Sequence, residues 1–300
     1  MIRIVTDSTA SIPAKIAEEH GIEVVTLYLH RGEEMFEDAT MDVDAFYEGI
    51  YDMIDDIPTS SQPSQVELEN VFEQAARRGD EAIGIFMSSR MSGTLDSALC
   101  AARSVSARHA NFRFRIVDSM SNSFDEAWSV LAAAAARAAG RTLNHCAKLA
   151  VESATASRFL FTPESLKFLK AGGRIGNAAA LLGTLIKLCP VFTVSDGLTT
   201  TFAKVRTHRK AVETIAEKFR SDIEAHGLKN VVVHYIGSSD EACVWARDVI
   251  GPMCGRDVDV VPVSPVIGLH VGPAVGIAYE CQEALPGRLS LNPSSLVYAS

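Results

Sequence analysis

Two rhythms of apolar residues alternate along the first half of the chain. Short runs at Ile2–Val5, Val24–Leu29, Ala82–Met87 and Phe112–Val117 have the length and composition of buried strands. Between them, Asp44–Ile54, Gln65–Arg77, Leu95–Arg108 and Asp125–Ala139 carry helical patterns, and Pro13 starts a further helix. Such alternation predicts βαβ units and a mainly parallel sheet. Right-handed crossovers would then gather the strand C-termini on one edge.

The second half reads differently. Strands are predicted at Arg158–Phe161, Val191–Val194, Thr200–Val205, Asn230–Ile236 and Val258–Val263. Helices are predicted at Pro163–Lys170, Ala178–Leu188, Arg209–His226 and Asp240–Gly251. Pro190–Ser195 and Thr199–Val205, split by Asp196-Gly197, form a hairpin. The expected architecture is α/β in two domains, with a parallel-sheet α/β domain over 1–157 and an α+β domain with a mixed sheet over 158–300. The Ala-rich stretch at 131–139 is a close-packing helix, because alanine favours helix and lets neighbours approach.

With 47% hydrophobic and 22% charged residues in 300, the chain can bury a sizeable core. A formal net charge of -9 argues against a general affinity for nucleic acid or anionic membrane. It leaves room for local basic patches and transient membrane contact. The cysteines (Cys100, Cys146, Cys189, Cys243, Cys254 and Cys281) form no CxxC pair. They read as buried thiols in a reducing compartment rather than a disulfide framework or zinc site. The N-terminal segment lacks the apolar core of a signal peptide, and no long apolar run is free of charges and breakers. A cytoplasmic protein is expected.

Three strand-to-helix loops are rich in hydroxyls: Thr6–Ser11, Ser88–Thr94 and Asp118–Ser123. They converge on the edge where open α/β sheets bind ligands, and the helix N-termini there suit an anion. Four segments carry candidate chemistry, each beside a plainer role. In Ser60-Ser61-Gln62-Pro63-Ser64, Ser64 can simply cap the helix at Gln65. In Ser88–Thr94, Ser92 or Thr94 can cap a helix, while Gly93 lets the backbone approach a ligand. Gly172-Gly173 is a helix stop, but Arg174 beside it can grip a carboxylate or phosphate bidentately. His270, in His270-Val271-Gly272-Pro273, is either a turn residue or part of a polar site. The common catalytic signatures are missing: there is no P-loop, no G-x-S-x-G elbow, no dinucleotide fingerprint and no persuasive metal spacing.

Taken together, these segments resemble the DegV family. Asp7-Ser8, Ser60–Ser64, Ser-Ser-x-Met-Ser-Gly-Thr at 88–94, Asp118-Ser119, Leu-Lys-Ala-Gly-Gly-Arg-Ile at 169–175 and His270-x-Gly-Pro follow the family order over roughly 1–285. The family resembles the fatty-acid-binding subunit of bacterial fatty acid kinase. The resemblance implies a carrier and not an enzyme on its own, with no cofactor. Its ligand would be a long-chain fatty acid, whose carboxylate a separate ATP-binding kinase subunit phosphorylates. It also implies that Ser60, where the family usually has threonine, and Ser92 bind the carboxylate. Arg174 and His270 would belong to the surrounding network, and Arg206 to the head-group region and kinase docking.

Two departures stand out. Position 274 is alanine where many members have glycine, and a positive φ there would cost about 1 kcal/mol. Phe124-Asp125-Glu126-Ala127 fills a helix start that often holds glycine, and is expected to reshape the cavity. The rival reading is a stand-alone hydrolase of an acyl or phosphate ester, with Ser92 as nucleophile and His270 as base.

Overall fold

A computed structural model describes residues 1–177 and 188–299. The helix expected at Ala178–Leu188 lies almost wholly outside the described residues. The strands are β1 Ile2–Asp7, β2 Ile22–Val25, β3 Tyr28–Arg31, β4 Glu34–Glu37, β5 Thr59–Ser61, β6 Glu81–Phe86 and β7 Phe114–Asp118. They continue with β8 Ser157–Pro163, β9 Cys189–Ser195, β10 Leu198–Val205, β11 Leu228–Ile236, β12 Asp259–Pro262, β13 Ala274–Cys281 and β14 Val297–Ala299. The helices are α1 Ala14–Glu19, α2 Val43–Glu48, α3 Gln65–Arg77, α4 Thr94–Arg108, α5 Ser123–Ala138 and α6 Leu143–Ala156. After them come α7 Lys167–Ala171, α8 His208–His226, α9 Asp240–Trp245, α10 Gly251–Cys254 and α11 Pro265–Val271.

The first sheet has the order β14-β7-β6-β1-β2. Strands β1, β2, β6 and β7 are parallel, as the alternating pattern requires. Helices α3 and α4 pack on one face and α5 and α6 on the other, each closing its own apolar cluster. The second sheet, β10-β9-β8-β13-β11-β12, is mixed: only β11 and β12 run parallel. The fold is thus α/β with a mixed second sheet. The hairpin between β9 and β10 turns at Asp196-Gly197, both in the left-handed region.

Several details differ from the sequence reading. Val24–Leu29 is two strands, because Thr26 and Leu27 carry the chain from the first sheet into a small antiparallel sheet, β4-β3-β5. Residues 297–299 leave the second half and pair with β7 of the first sheet. Strand β8 runs through Pro163, so the helix expected there begins only at Lys167. Only Cys146 and Cys281 are buried; Cys100 and Cys243 are exposed on outer helix faces.

Arg288 joins the two sheets. Its guanidinium is buried and meets Asp125 at 2.9 Å. It also donates to the carbonyls of Met120, Ser157 and Val194. Ser121 Oγ bonds the same Asp125 carboxylate. Removing one partner of such a buried pair leaves an uncompensated charge.

Candidate functional site

Ser60 owes its position to strand alternation. On β5 it lies opposite the buried Leu29, so its side chain faces inward, while Thr59 and Ser61 face out. Ser61 Oγ instead meets His30 Nε2 at 2.7 Å. Ser64 caps α3: its Oγ accepts from Glu67 N–H, and Glu67 returns the bond to Ser64 N–H.

Ser92 sits on the loop from β6 to α4, which buried carboxylates hold in place. Asp7 accepts from Met87 N–H at 2.9 Å, and Asp118 accepts from Ser89 and Met120 N–H. Ser88 Oγ and Arg90 reach across to the carbonyls of Gly197 and Asp196 in the β9–β10 turn. The hydroxyl-rich loops therefore tie the two sheets together. Burial pushes the Asp7 carboxyl up to about 6, and burial followed by Asp7's proximity raises Glu126 well above the ordinary range.

His270 occupies the last turn of α11. That helix is anchored at its start by the buried Asp38, which accepts from Val266 N–H and Ser264 Oγ. His270 Nε2 lies 2.8 Å from Ser60 Oγ. Burial, then the positive charge of Arg174, pushes the imidazole down to about 4, so it is neutral at pH 7. Nδ1 has no partner among the described residues and packs against Gly172. A proton on Nε2 then lets the ring donate to Ser60 Oγ and leaves the Ser60 hydroxyl to donate to an incoming anion. Arg174 stands exposed at the rim, its Nη1 donating to Gly172 O at 2.7 Å.

These groups share one cavity. Ser60, Ser92, Asn122, Arg174, Thr199 and His270 line a space of about 50 Å³ with apolar walls that include Met87, Met91, Phe159 and Ile267. A separate space of about 10 Å³ shares Phe159, Phe161, Ile267 and Val271 with it and is also lined by His234 and Tyr235. His234 is buried and bonded at both ring nitrogens, to Ser123 Oγ and Val261 O. Arg206 is exposed beyond β10 and is not among the residues lining the cavity. The structure thus brings four of the five expected residues together.

The Ser92–His270 pair that a hydrolase requires is not made: Ser92 Oγ bonds Thr94 Oγ1 at 2.8 Å, and His270 bonds Ser60. Among the described residues no metal-ligand cluster occurs and no helix is long and apolar enough to cross a membrane. The departures from the family pattern resolve locally. Ala274 opens β13 with no positive φ; the left-handed residue of that turn is Gly272, at φ 74°. Phe124, Asp125 and Glu126 pack against Trp128, Arg288 and Thr6 and are not among the cavity-lining residues. Sequence reasoning left Asn122 without a role, although asparagine just before a helix invites the question of what its side chain does.

Comparison with known proteins agrees with the ordered motifs. The family model described as "Uncharacterised protein, DegV family" matches residues 1–282. A DegV domain-containing protein of Clostridium acetobutylicum is 39% identical over 279 residues, 93% of this chain and 97% of that one. A fatty-acid-binding DegV family protein of Thermus thermophilus superposes with a TM-score of 0.82 at 29% identity, over 93% of this chain and 99% of the other. DegV of Bacillus subtilis, described as a fatty acid binding protein, gives 0.83 at 28% identity with the same coverage. On motifs, family model and fold alike, this chain belongs to the DegV family.

Proposed function

We propose that this protein is a fatty-acid carrier that presents the carboxylate of a long-chain fatty acid to a separate ATP-binding kinase subunit, which converts it to an acyl phosphate. The observation that carries the reading is one cavity with two kinds of wall. Ser60, Ser92 and Arg174 offer donors at one end, backed by His270, and aromatic and aliphatic side chains continue inward. A carboxylate drawn into a partly dry site must meet charge-assisted donors or take up a proton. Each buried methylene of the tail adds about 0.8 kcal/mol, so tight binding needs no catalytic machinery.

The space of about 50 Å³ is on the order of two water molecules. A tail must therefore displace wall side chains, and the unbranched Met87 and Met91 are suited to yield. The fatty-acid-binding relatives from Thermus and Bacillus support the ligand class. On this reading the chain performs no phosphoryl transfer; it positions the acceptor oxygen. Such a carrier works where its ATP-dependent partner does, in the cytoplasm.

The test is denaturing mass spectrometry of protein purified from bacteria, followed by titration of stripped protein with hexadecanoic acid. Bound fatty acid and saturable titration are expected. No lipid and no binding would overturn the reading. With an ATP-binding kinase subunit of the same system added, acyl phosphate should form only when both proteins are present.

A further inference from the structure

We propose that Gln62 is a positioning residue for the ligand's head group. By bridging the segment that carries Ser60 to the helix that follows Ser92, it fixes the gap between the two hydroxyls so that both reach one carboxylate. The inference rests on the carrier reading above and adds to it a residue outside the cavity wall.

Each serine is oriented within its own surroundings. Ser60 Oγ meets His270 Nε2, and Ser92 Oγ meets Thr94 Oγ1. The bonds described above hold β5 to β3, and the 88–94 loop to Asp7, Asp118 and the β9–β10 turn. None of those bonds crosses from one serine's segment to the other's. The side chain of Gln62 does: its Nε2 donates to Ser97 Oγ, in the first turn of α4, at 2.6 Å.

Both ends of this bridge are anchored. Gln62 follows the last residue of β5 and stands two residues before Ser64, the cap of α3, with Pro63 buried between them. Ser97 N–H donates to the carbonyl of Gly93, the N-cap of α4. Gly93 has φ -77°, which any residue adopts, so glycine serves there for space. A Cβ at that position would lie 2.6 Å from Gln62 Oε1. The carboxamide thus lies against the backbone next to Ser92. Arg108 joins α3 and α4 further along, through Glu69 and Glu73, and Gln62 joins their starts.

The consequence for a ligand follows from counting oxygens. A carboxylate has two, and each accepts hydrogen bonds. Meeting one from Ser60 and the other from Ser92 requires a set spacing, and affinity is lost when donors drift by a fraction of an ångström. A fatty alcohol has a single oxygen, which either segment satisfies alone. Releasing the bridge should therefore penalise acids and largely spare alcohols.

The experiment titrates hexadecanoic acid and hexadecanol into stripped wild-type, Gln62→Ala, Ser97→Ala and Ser97→Thr proteins and into the double alanine variant. Each single alanine variant should bind the acid about 3- to 10-fold more weakly, the range of one net hydrogen bond, and the alcohol within about 2-fold of wild type. The double variant should be no weaker than either single one, because both changes break the same bond. Ser97→Thr keeps the hydroxyl and should retain wild-type affinity for the acid. Hexadecanol binding and an unshifted melting curve show that the variants fold. Equal losses for acid and alcohol, additive losses in the double variant, or wild-type acid affinity in either alanine variant would each overturn the proposal and leave the carrier reading intact. A Ser97→Thr protein as weak as Ser97→Ala would overturn it as well. Failure of wild type to bind hexadecanoic acid would overturn both readings.

Discussion

Replacing Gly172 with alanine should damage the site while leaving the fold nearly as stable as before. The backbone of Gly172 is right-handed, at φ -72° and ψ -13°, so alanine fits it without strain. On entropy alone the exchange would stabilise the protein by about 0.4–1 kcal/mol. The new Cβ, however, would lie 2.3 Å from His270 Nδ1 and 3.2 Å from its Cγ. The imidazole must retreat by roughly 1 Å to restore ordinary contact. Its bond to Ser60 is only 2.8 Å long and cannot stretch that far. Losing that bond, together with an off-rotamer histidine, costs about 1–3 kcal/mol, which outweighs the entropic gain by roughly 1 kcal/mol at the middle of the two ranges. Thermal unfolding should therefore shift by only a few degrees, whereas fatty-acid affinity should fall about 5- to 20-fold because Ser60 loses its orienting partner. Displacement of a fluorescent fatty acid, run beside a melting curve, measures both. Wild-type affinity in the Gly172→Ala protein would refute the role given to the Ser60–His270 pair. An affinity loss matched by wholesale destabilisation would refute the claim that the effect is local.

Other outcomes follow from the same structure. Ser92→Ala should weaken fatty-acid binding about tenfold or more but fatty-alcohol binding much less, since hydrogen bonds to a charged group are the stronger ones; equal losses in parallel titrations would contradict a carboxylate at Ser92. Glu126→Gln should become progressively more stable than wild type as pH rises above about 4.5, by about 1.4 kcal/mol per unit until the folded-state pKa is reached. The sign follows because the buried carboxyl keeps its proton in the folded protein at a pH where the unfolded chain has released it; a stability difference independent of pH between 4 and 8 would argue against this. Arg288→Met should cost about 3–5 kcal/mol by stranding the buried Asp125, seen as a large drop in denaturant midpoint. Restored stability in the double variant with Asp125→Asn is the matching check. Arg206→Ala, outside the cavity, should leave fatty-acid affinity unchanged and lower only the rate at which a kinase subunit uses the loaded carrier.

Legibility in the sequence followed locality. The bounds of α3, α4 and α8, and the Asp196-Gly197 hairpin, rest on caps, periodicity and turn residues within a few positions of each other. Strand β13 went unseen although it lies at the centre of the second sheet. Both of its faces are covered, so Ala-Val-Gly-Ile-Ala-Tyr-Glu-Cys shows no alternation, and Gly276 is there because the Leu160 carbonyl approaches closely. Helix α6 was masked by its predecessor, since Gly140 and the Thr142 cap divide what reads as one Ala-rich region. The serines and His270 of the site were legible as a set through ordered motifs. Their geometry was not: Ser60 and His270 are 210 residues apart in sequence, and nothing local signals that they touch. The same holds for Asp125 and Arg288, and for Asn122, whose missing cap shows only in three dimensions.

The buried Arg288 also bears on how a ligand gets in. Its guanidinium bonds Met120 and Asp125 on one side and Ser157 and Val194 on the other, and Val194 is itself part of the cavity wall. Swinging the two halves apart like a clamshell would pull this charged group away from one of its two sets of partners, either the Asp125 carboxylate and Met120 carbonyl or the Ser157 and Val194 carbonyls. A hinge opening therefore costs a buried ionic contact, and on the carrier reading a ligand is expected to enter by local yielding at the rim instead. Both halves should then melt as a single cooperative unit, with one heat-absorption peak that a bound fatty acid moves upward without splitting.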